Sequence, residues 1–224
     1  MNNENRFSGF DEDTSRFLME LTLHNYRDWF EANRSRYEQV LKTPFEALAR
    51  DTAALLAERF PDDSFRLHIA RIYRDARRLF GRGPYKERLW FSIHSAEGKD
   101  EGPAFYFEVG ALSWEAGLGY WAPSAGAMAS FRRYADAHEK ELLQLFEDLK
   151  KQTFFTLGAQ RYARPKGHTQ DGLDTVYNAK SFWLSHAEPF DEALFDAKLP
   201  ELLADRFAAL LPLFRHLLLA SVTG

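Results

Sequence analysis

The sequence predicts an α+β protein, with a mostly antiparallel sheet of about five to six strands packed with N-terminal, middle and C-terminal helices. Two observations carry this. Apolar residues recur at helical spacing through residues 1–60, 125–151 and 190–220, and they alternate with period two in 65–121 and in parts of 153–187. A third concerns organisation: no internal repeat, low-complexity tract or long Pro/Gly/Ser linker divides the chain. The 224 residues therefore read as a single domain, long enough to bury a substantial core.

The elements follow in order. Phe17, Leu18, Leu21 and Leu23 form the apolar side of a first helix, which Asp11 or Asp13 caps, and His24 and Asn25 end it. Trp29, Phe30, Asn33, Tyr37 and Val40 mark a second helix, with Asp28 as a cap. Pro44 restarts the chain, and a third helix runs to about Phe60 before Pro61. Leu67, Ile69, Arg71 and Tyr73 then alternate with His68, Ala70, Ile72 and Arg74 as in a strand. Gly81 to Pro84 is a turn, and Leu89 to His94 is the next strand. After a hairpin loop at 98–103, Phe105 to Val109 and Trp114 to Trp121 form an antiparallel pair. Gly117 and Gly119 share one face of the latter strand and leave a shallow patch for a packed helix, another backbone or a ligand.

Met128, Phe131, Ala135, His138, Leu142, Leu145 and Leu149 make one buried stripe on a helix from Ala125 to Lys151, with His138 a core histidine. Thr153 to Leu157 suits a short strand, Tyr162 to Gly172 a polar loop, and Ser181 to Ala187 a further strand. Phe190 to Ala220 gives one or two final helices, with Pro200 at a helix start and Pro212 as a kink or divide.

Several chemistries are excluded or weakened. The chain has no cysteine, which removes disulfides, thiolate metal sites and thiol catalysis. The histidines at 24, 68, 94, 138, 168, 186 and 216 are never three to five residues apart, so no metal and no other cofactor is expected. No Gly-x-Ser-x-Gly elbow occurs, and Phe7-Ser8-Gly9-Phe10 lacks that motif's context. Gly81-Arg82-Gly83 lacks the further residues of a phosphate-binding loop. The N-terminus carries no signal-like apolar run and no segment has membrane-span length, so a cytoplasmic location without membrane partners is expected.

One feature stands out against a net charge of −4: Arg66 to Arg88 holds eight Arg or Lys and two acids, a local charge of +6 that leaves −10 for the rest. Either the chain's own carboxylates neutralise this segment, or it binds an anion. On a continued strand, Arg71, Tyr73, Asp75 and Arg77 share one face, and arginines two apart grip a carboxylate or phosphate from two sides. Asp75 would hold the guanidinium groups in register or act as a weak base, and Tyr85 would gain acidity from the surrounding positive charge.

Two motifs carry a family resemblance. One is Phe7-Ser8-Gly9-Phe10 followed by the stretch from His24 to Tyr37. The other is a signature of Arg-x-x-Arg-Asp-x-Arg-Phe, a short polar loop, Asp/Asn-Lys and x-x-Tyr, which Arg71, Arg74, Asp75, Arg77 and Tyr85 fit. With Gly117 to Pro123 and the helical C-terminus, the chain resembles the domain of unknown function 2461 family, found as bacterial proteins of similar length and within some fungal ones. The resemblance implies no activity. Arg78 replaces the signature's phenylalanine, Gly81 its Asp/Asn and Arg82 its lysine, so no catalytic role carries to Gly81.

The candidate ligand-binding residues are Arg71, Arg74, Arg77, Arg82, Lys86, Asn33 and Tyr37, the last two one helical turn apart and expected to meet the arginine strand in one polar cleft. Asp75 and Tyr85 are the candidate catalytic groups, and whether the protein is an enzyme stays open. The ligand expected is small and anionic, bearing phosphate or carboxylate. The alternative is an interaction module presenting Arg77, Arg78, Arg82, Lys86 and Arg88 on a basic loop to an acidic protein or RNA, although the acidic remainder argues against strong nucleic-acid binding. The sequence leaves the oligomeric state undetermined.

Overall fold

The computed structural model describes residues 6–98, 102–151, 154–167, 169 and 171–222. Its first helix, α1 (Glu12–Leu23), begins with a capping box: the Asp11 carboxylate accepts the Thr14 N–H at 3.0 Å, and the Asp11 N–H donates to the Thr14 hydroxyl at 3.4 Å. Phe17, Leu18 and Leu21 are fully buried, but Leu23 is exposed because the helix ends there, at the His24 cap. After α2 (Arg27–Ala32), whose N-cap is Tyr26 rather than Asp28, the chain continues as α3 (Arg34–Tyr37), a π-helical turn (Glu38–Lys42) and α4 (Thr43–Arg59).

Pro44 therefore does not restart the chain, and the reason is local. Proline has no N–H to give the Val40 carbonyl four residues earlier, the backbone widens to a π-turn there, and the Thr14 hydroxyl donates to Val40 at 2.7 Å. Thr14 is fully buried, so Thr14→Val should remove this bond where water does not replace it. The expected loss is about 1–3 kcal/mol, read from urea unfolding midpoints at unchanged slope.

The sheet comprises β1 (Phe65–Ile69), β2 (Arg88–Ser95), β3 (Ala104–Gly110), β4 (Ser113–Tyr120), β5 (Thr156–Arg161) and β6 (Ala179–Pro189), in the antiparallel order β1-β2-β3-β4-β6-β5. Register puts Leu67 opposite Ile93, Phe91 opposite Phe107 and Phe105 opposite Leu118. These residues join the core with α4 and the C-terminal helix α9 (Leu199–Val222), whose Phe207 and Phe214 stack on Phe105. The alternate residues, among them His68, Trp90, Ser92 and Tyr106, point to the opposite face.

Other expectations shift. The helix predicted from Ala125 to Lys151 is two, α5 (Ala125–Ala137) and α6 (Glu139–Lys151), because His138 leaves helical geometry to cap α5. His138 is not in the core: it is half-exposed, stacks on Tyr134 and pairs with Glu141. The strand predicted from Thr153, a residue outside those described, forms later as β5, where Leu157 and Ala159 align with Leu184 and Phe182 of β6. The polar loop gives way at 171 to α7 (Asp171–Tyr177), whose Leu173, Val176 and Tyr177 have the three-four spacing of a buried helical side. A short α8 (Glu192–Phe195) precedes α9; Pro200 lies in the first turn of α9, and Pro212 sits inside it on the exposed side without dividing it. The glycine patch on β4 is covered: a Cβ on Gly117 would meet the Leu184 carbonyl at 2.0 Å, and one on Gly119 the Trp121 indole at 2.0 Å. The loop at 98–103 joins the antiparallel β2 and β3, with 99–101 outside the described residues. Among the described residues no helix is long and apolar enough to cross a membrane.

Candidate functional site

The sheet ladder of β1 ends at Ile69, and the chain bends at Ile72 on its way to Asp75. It is held as a narrow ribbon against residues 84–86: Arg74 N–H donates to Pro84 at 2.7 Å, Lys86 N–H to Ile72 at 2.7 Å, and Tyr73 bridges Tyr85. Burial of Ile72 turns Arg71 and Tyr73 outward, as the alternation predicts. The expected strand then fails. Asp75 accepts the Arg77 N–H at 3.0 Å and caps a 3-10 turn (Ala76–Arg78), a short-range bond that acidic side chains offer wherever the backbone can turn.

Beside this ribbon lies a cleft of about 950 Å³. It brings together Arg71, Arg74, Arg77, Arg82 and Lys86, five of the seven ligand-binding residues expected from sequence, and adds Arg88. Three carboxylates, Asp75, Glu87 and Glu108, share its walls, so cations outnumber them two to one. The acids have partners. Arg74, only 14% exposed, pairs with Glu87 at 3.2 Å and donates to the Tyr85 carbonyl at 2.7 Å. Arg88 pairs with Glu108, and Asp75 holds the 87% exposed Arg77 at 2.9 Å. The carboxylates that pair with Arg74, Arg77 and Arg88 thus come from the segment itself and from β3.

Lys86 differs. Its half-buried ammonium donates to the Arg71 carbonyl at 2.6 Å and lies 5.7 Å from the Trp90 ring centre. Among the described residues it has no carboxylate partner, and neither do the Arg71 and Arg82 side chains. Burial, then the charges of Arg71 and Arg74, hold its pKa below the ordinary lysine value.

Tyr85 takes a role opposite to the one expected. It is buried, stacked on Phe30 at 4.0 Å between ring centres, and burial raises its pKa rather than lowering it. It anchors the ribbon and offers no acid to the cleft. Asp75 caps its own turn and pairs with Arg77.

The helical motif does meet the arginine motif, through Tyr37 and through residues that were not expected, but not in one cleft with Asn33. Asn33 turns back to the Trp29 carbonyl at 2.9 Å and lines no part of the cleft. Tyr37 is buried; it borders a separate hollow of about 290 Å³ that Arg71 and Tyr73 also border. The junction is Asn25, whose side-chain amide exchanges two bonds of 3.0 Å with the Tyr85 backbone and donates to Glu87 at 3.3 Å. Gly83 is needed against it, since a Cβ there would meet the Asn25 amide oxygen at 2.2 Å. Arg34 reaches the Tyr73 hydroxyl at 3.3 Å. Gly81 has φ +79° with open space around its missing Cβ, and the Asp/Asn of the family signature is the side chain that best tolerates such a backbone.

His68, Trp90 and Glu108 also line the cleft and were not singled out in the sequence. His68 lies out of phase with the core residues Leu67 and Ile69, which was its signal. Trp90 and Glu108 meet only because β2 pairs with β3 in this register. Among the described residues no group of three or more His, Asp or Glu is arranged to hold a metal.

Fold and cleft together define an α+β protein with a cation-lined hollow at the edge of an antiparallel sheet. The chain belongs to the family described as conserved hypothetical protein (DUF2461), which matches it over residues 13–216. No curated protein matches the chain.

Proposed function

We propose that the cleft binds a small anionic ligand, phosphate- or carboxylate-bearing, between Lys86, Arg71 and Arg74, with Arg82 and Arg77 at the rim. The observation that carries this reading is Lys86: a half-buried ammonium beside two guanidinium groups, with its pKa depressed and no carboxylate against it among the described residues. Like charges gathered out of water cost stability, and an anion offsets that cost. Arg74 is the fixed member of the set, held by Glu87 and the Tyr85 carbonyl. A melting screen at low ionic strength with inorganic phosphate, phosphorylated metabolites and dicarboxylates tests it. The reading expects a rise in melting temperature with at least one anion class, lost in Arg74→Ala. No shift with any anion, together with unchanged stability in Arg74→Ala, removes it.

The depressed pKa gives this reading a pH signature. A bound anion favours charged Lys86, so binding takes up a proton in the window between the lowered pKa of the empty cleft and the higher pKa that the anion confers. Phosphate affinity should therefore fall as pH rises through that window, and Lys86→Met should abolish this part of the profile. Titration calorimetry across the alkaline range checks it.

A second reading has its own observation. Phe80, at positive φ, is 82% exposed on the turn that carries Arg77 and Arg82. Such a turn suits an interaction module for an acidic protein or RNA. An Arg77→Ala/Arg82→Ala double variant that loses a partner while keeping anion binding would favour it.

A further inference from the structure

Resting on the anion reading above, we propose that the ligand also carries a flat aromatic ring, as a nucleoside phosphate does, lying in a second hollow continuous with the first. That hollow, of about 610 Å³, occupies the sheet face away from the core, and it shares His68, Trp90 and Glu108 with the arginine cleft. The two adjoin along one trough, richest in cations at the Lys86 end and lined by Tyr106, Trp121 and Arg66 at the other. At the aromatic end Trp121, 47% exposed, stands edge-on to Tyr106 at 5.2 Å and stacks on Trp183 at 4.8 Å, with its indole over the bare backbone of Gly119. Ala104 and Ala122 keep this end shallow and apolar.

The polar groups of the trough decide between a flat ring and a sugar. A sugar needs donors and acceptors to meet its hydroxyls, and here four of the polar side chains that line the hollow already bond other groups, with Arg66 and His68 lining it too. The Ser92 hydroxyl and His94 imidazole are 2.8 Å apart, Tyr106 donates to Glu115, and Glu108 pairs with Arg88. A ring that gains by stacking rather than by hydrogen bonding fits these walls. The Lys86 ammonium, 5.7 Å from the Trp90 ring centre, stands at a residue that both hollows share.

The test titrates the protein with inorganic phosphate, glycerol phosphate, glucose 6-phosphate, phenyl phosphate and adenosine monophosphate, following heat and tryptophan fluorescence. Phenyl phosphate and adenosine monophosphate should bind roughly tenfold or more tightly than inorganic phosphate, the scale of stacking on an aromatic side chain. They should also perturb tryptophan emission where inorganic phosphate does not. Trp121→Ala should remove the gain and leave inorganic phosphate binding unchanged, which also reports that the cleft is intact. Trp121→Leu, which keeps Gly119 covered without the ring face, is the second variant and should behave alike. Glycerol phosphate or glucose 6-phosphate binding as tightly as phenyl phosphate, or a gain that survives both substitutions, overturns the aromatic assignment and leaves anion binding standing. No binding of any phosphate overturns both.

Discussion

Lys86→Met should weaken phosphate binding by roughly 10- to 150-fold, the equivalent of losing one charge-assisted hydrogen bond of about 1.5–3 kcal/mol. The same substitution should raise the melting temperature of the ligand-free protein. Both effects come from one cause. The fold partly buries the ammonium beside Arg71 and Arg74 and depresses its pKa, so the charged form is less favourable here than in the unfolded chain. Between the lowered pKa and 10.5 the unfolded chain binds more protons, and stability therefore rises with pH through that window in the wild type. In Lys86→Met that rise should vanish. The lost bond to the Arg71 carbonyl is exposed enough for water to replace, whereas methionine keeps the packing on Trp90. A residue that costs stability when the cleft is empty and supports affinity when it is filled behaves as a binding residue. A lysine holding the fold together would lose stability on removal. Melting curves and phosphate titrations of the two proteins separate the cases.

Asn25→Asp should be the most damaging conservative change, at about 2–4 kcal/mol, because it removes a donor and adds a charge at one point. The amide now donates to the Tyr85 carbonyl and to Glu87 while accepting the Tyr85 N–H. A carboxylate keeps the last bond and turns the others into repulsion. Tyr85, Lys86 and Glu87 would lose their tie to the first motif, and the stacking of Tyr85 on Phe30 with it. Stability and phosphate affinity should fall together in this variant, unlike in Lys86→Met. Denaturant unfolding with parallel titration checks the pairing of effects.

The physical reasons why some of this was legible in the sequence are specific. Period-two alternation exposed β1, and short apolar and aromatic runs exposed β2, β3, β4 and most of β6. Helical stripes exposed α1, α4 and α9, because one side of each is buried. The cationic cluster was visible as a local charge anomaly, and five of its members do meet in one cleft. What failed depended on competing local bonds. Asp75 prefers to cap a turn than to extend a strand, and His138 to cap a helix than to fill a core stripe. Pro44 looks like a break in the sequence, since the Thr14 hydroxyl that accommodates it lies 26 positions from the carbonyl it bonds. The partnership of Asn25 with Tyr85, and of Trp90 with Glu108, exists only once distant segments pair, and residue types carry no trace of it. Asn33 falls at the joint between α2 and α3 and bonds back to Trp29, a break that the helical spacing of Asn33 and Tyr37 does not reveal.

The most direct test is a calorimetric titration of inorganic phosphate into the wild type and Lys86→Met at low ionic strength near neutral pH, repeated with added salt. Saturable one-site binding in the wild type is predicted, weakened by salt and reduced at least tenfold by the substitution. Absence of saturable binding in the wild type, or equal affinity in both proteins, would contradict an anion held at Lys86.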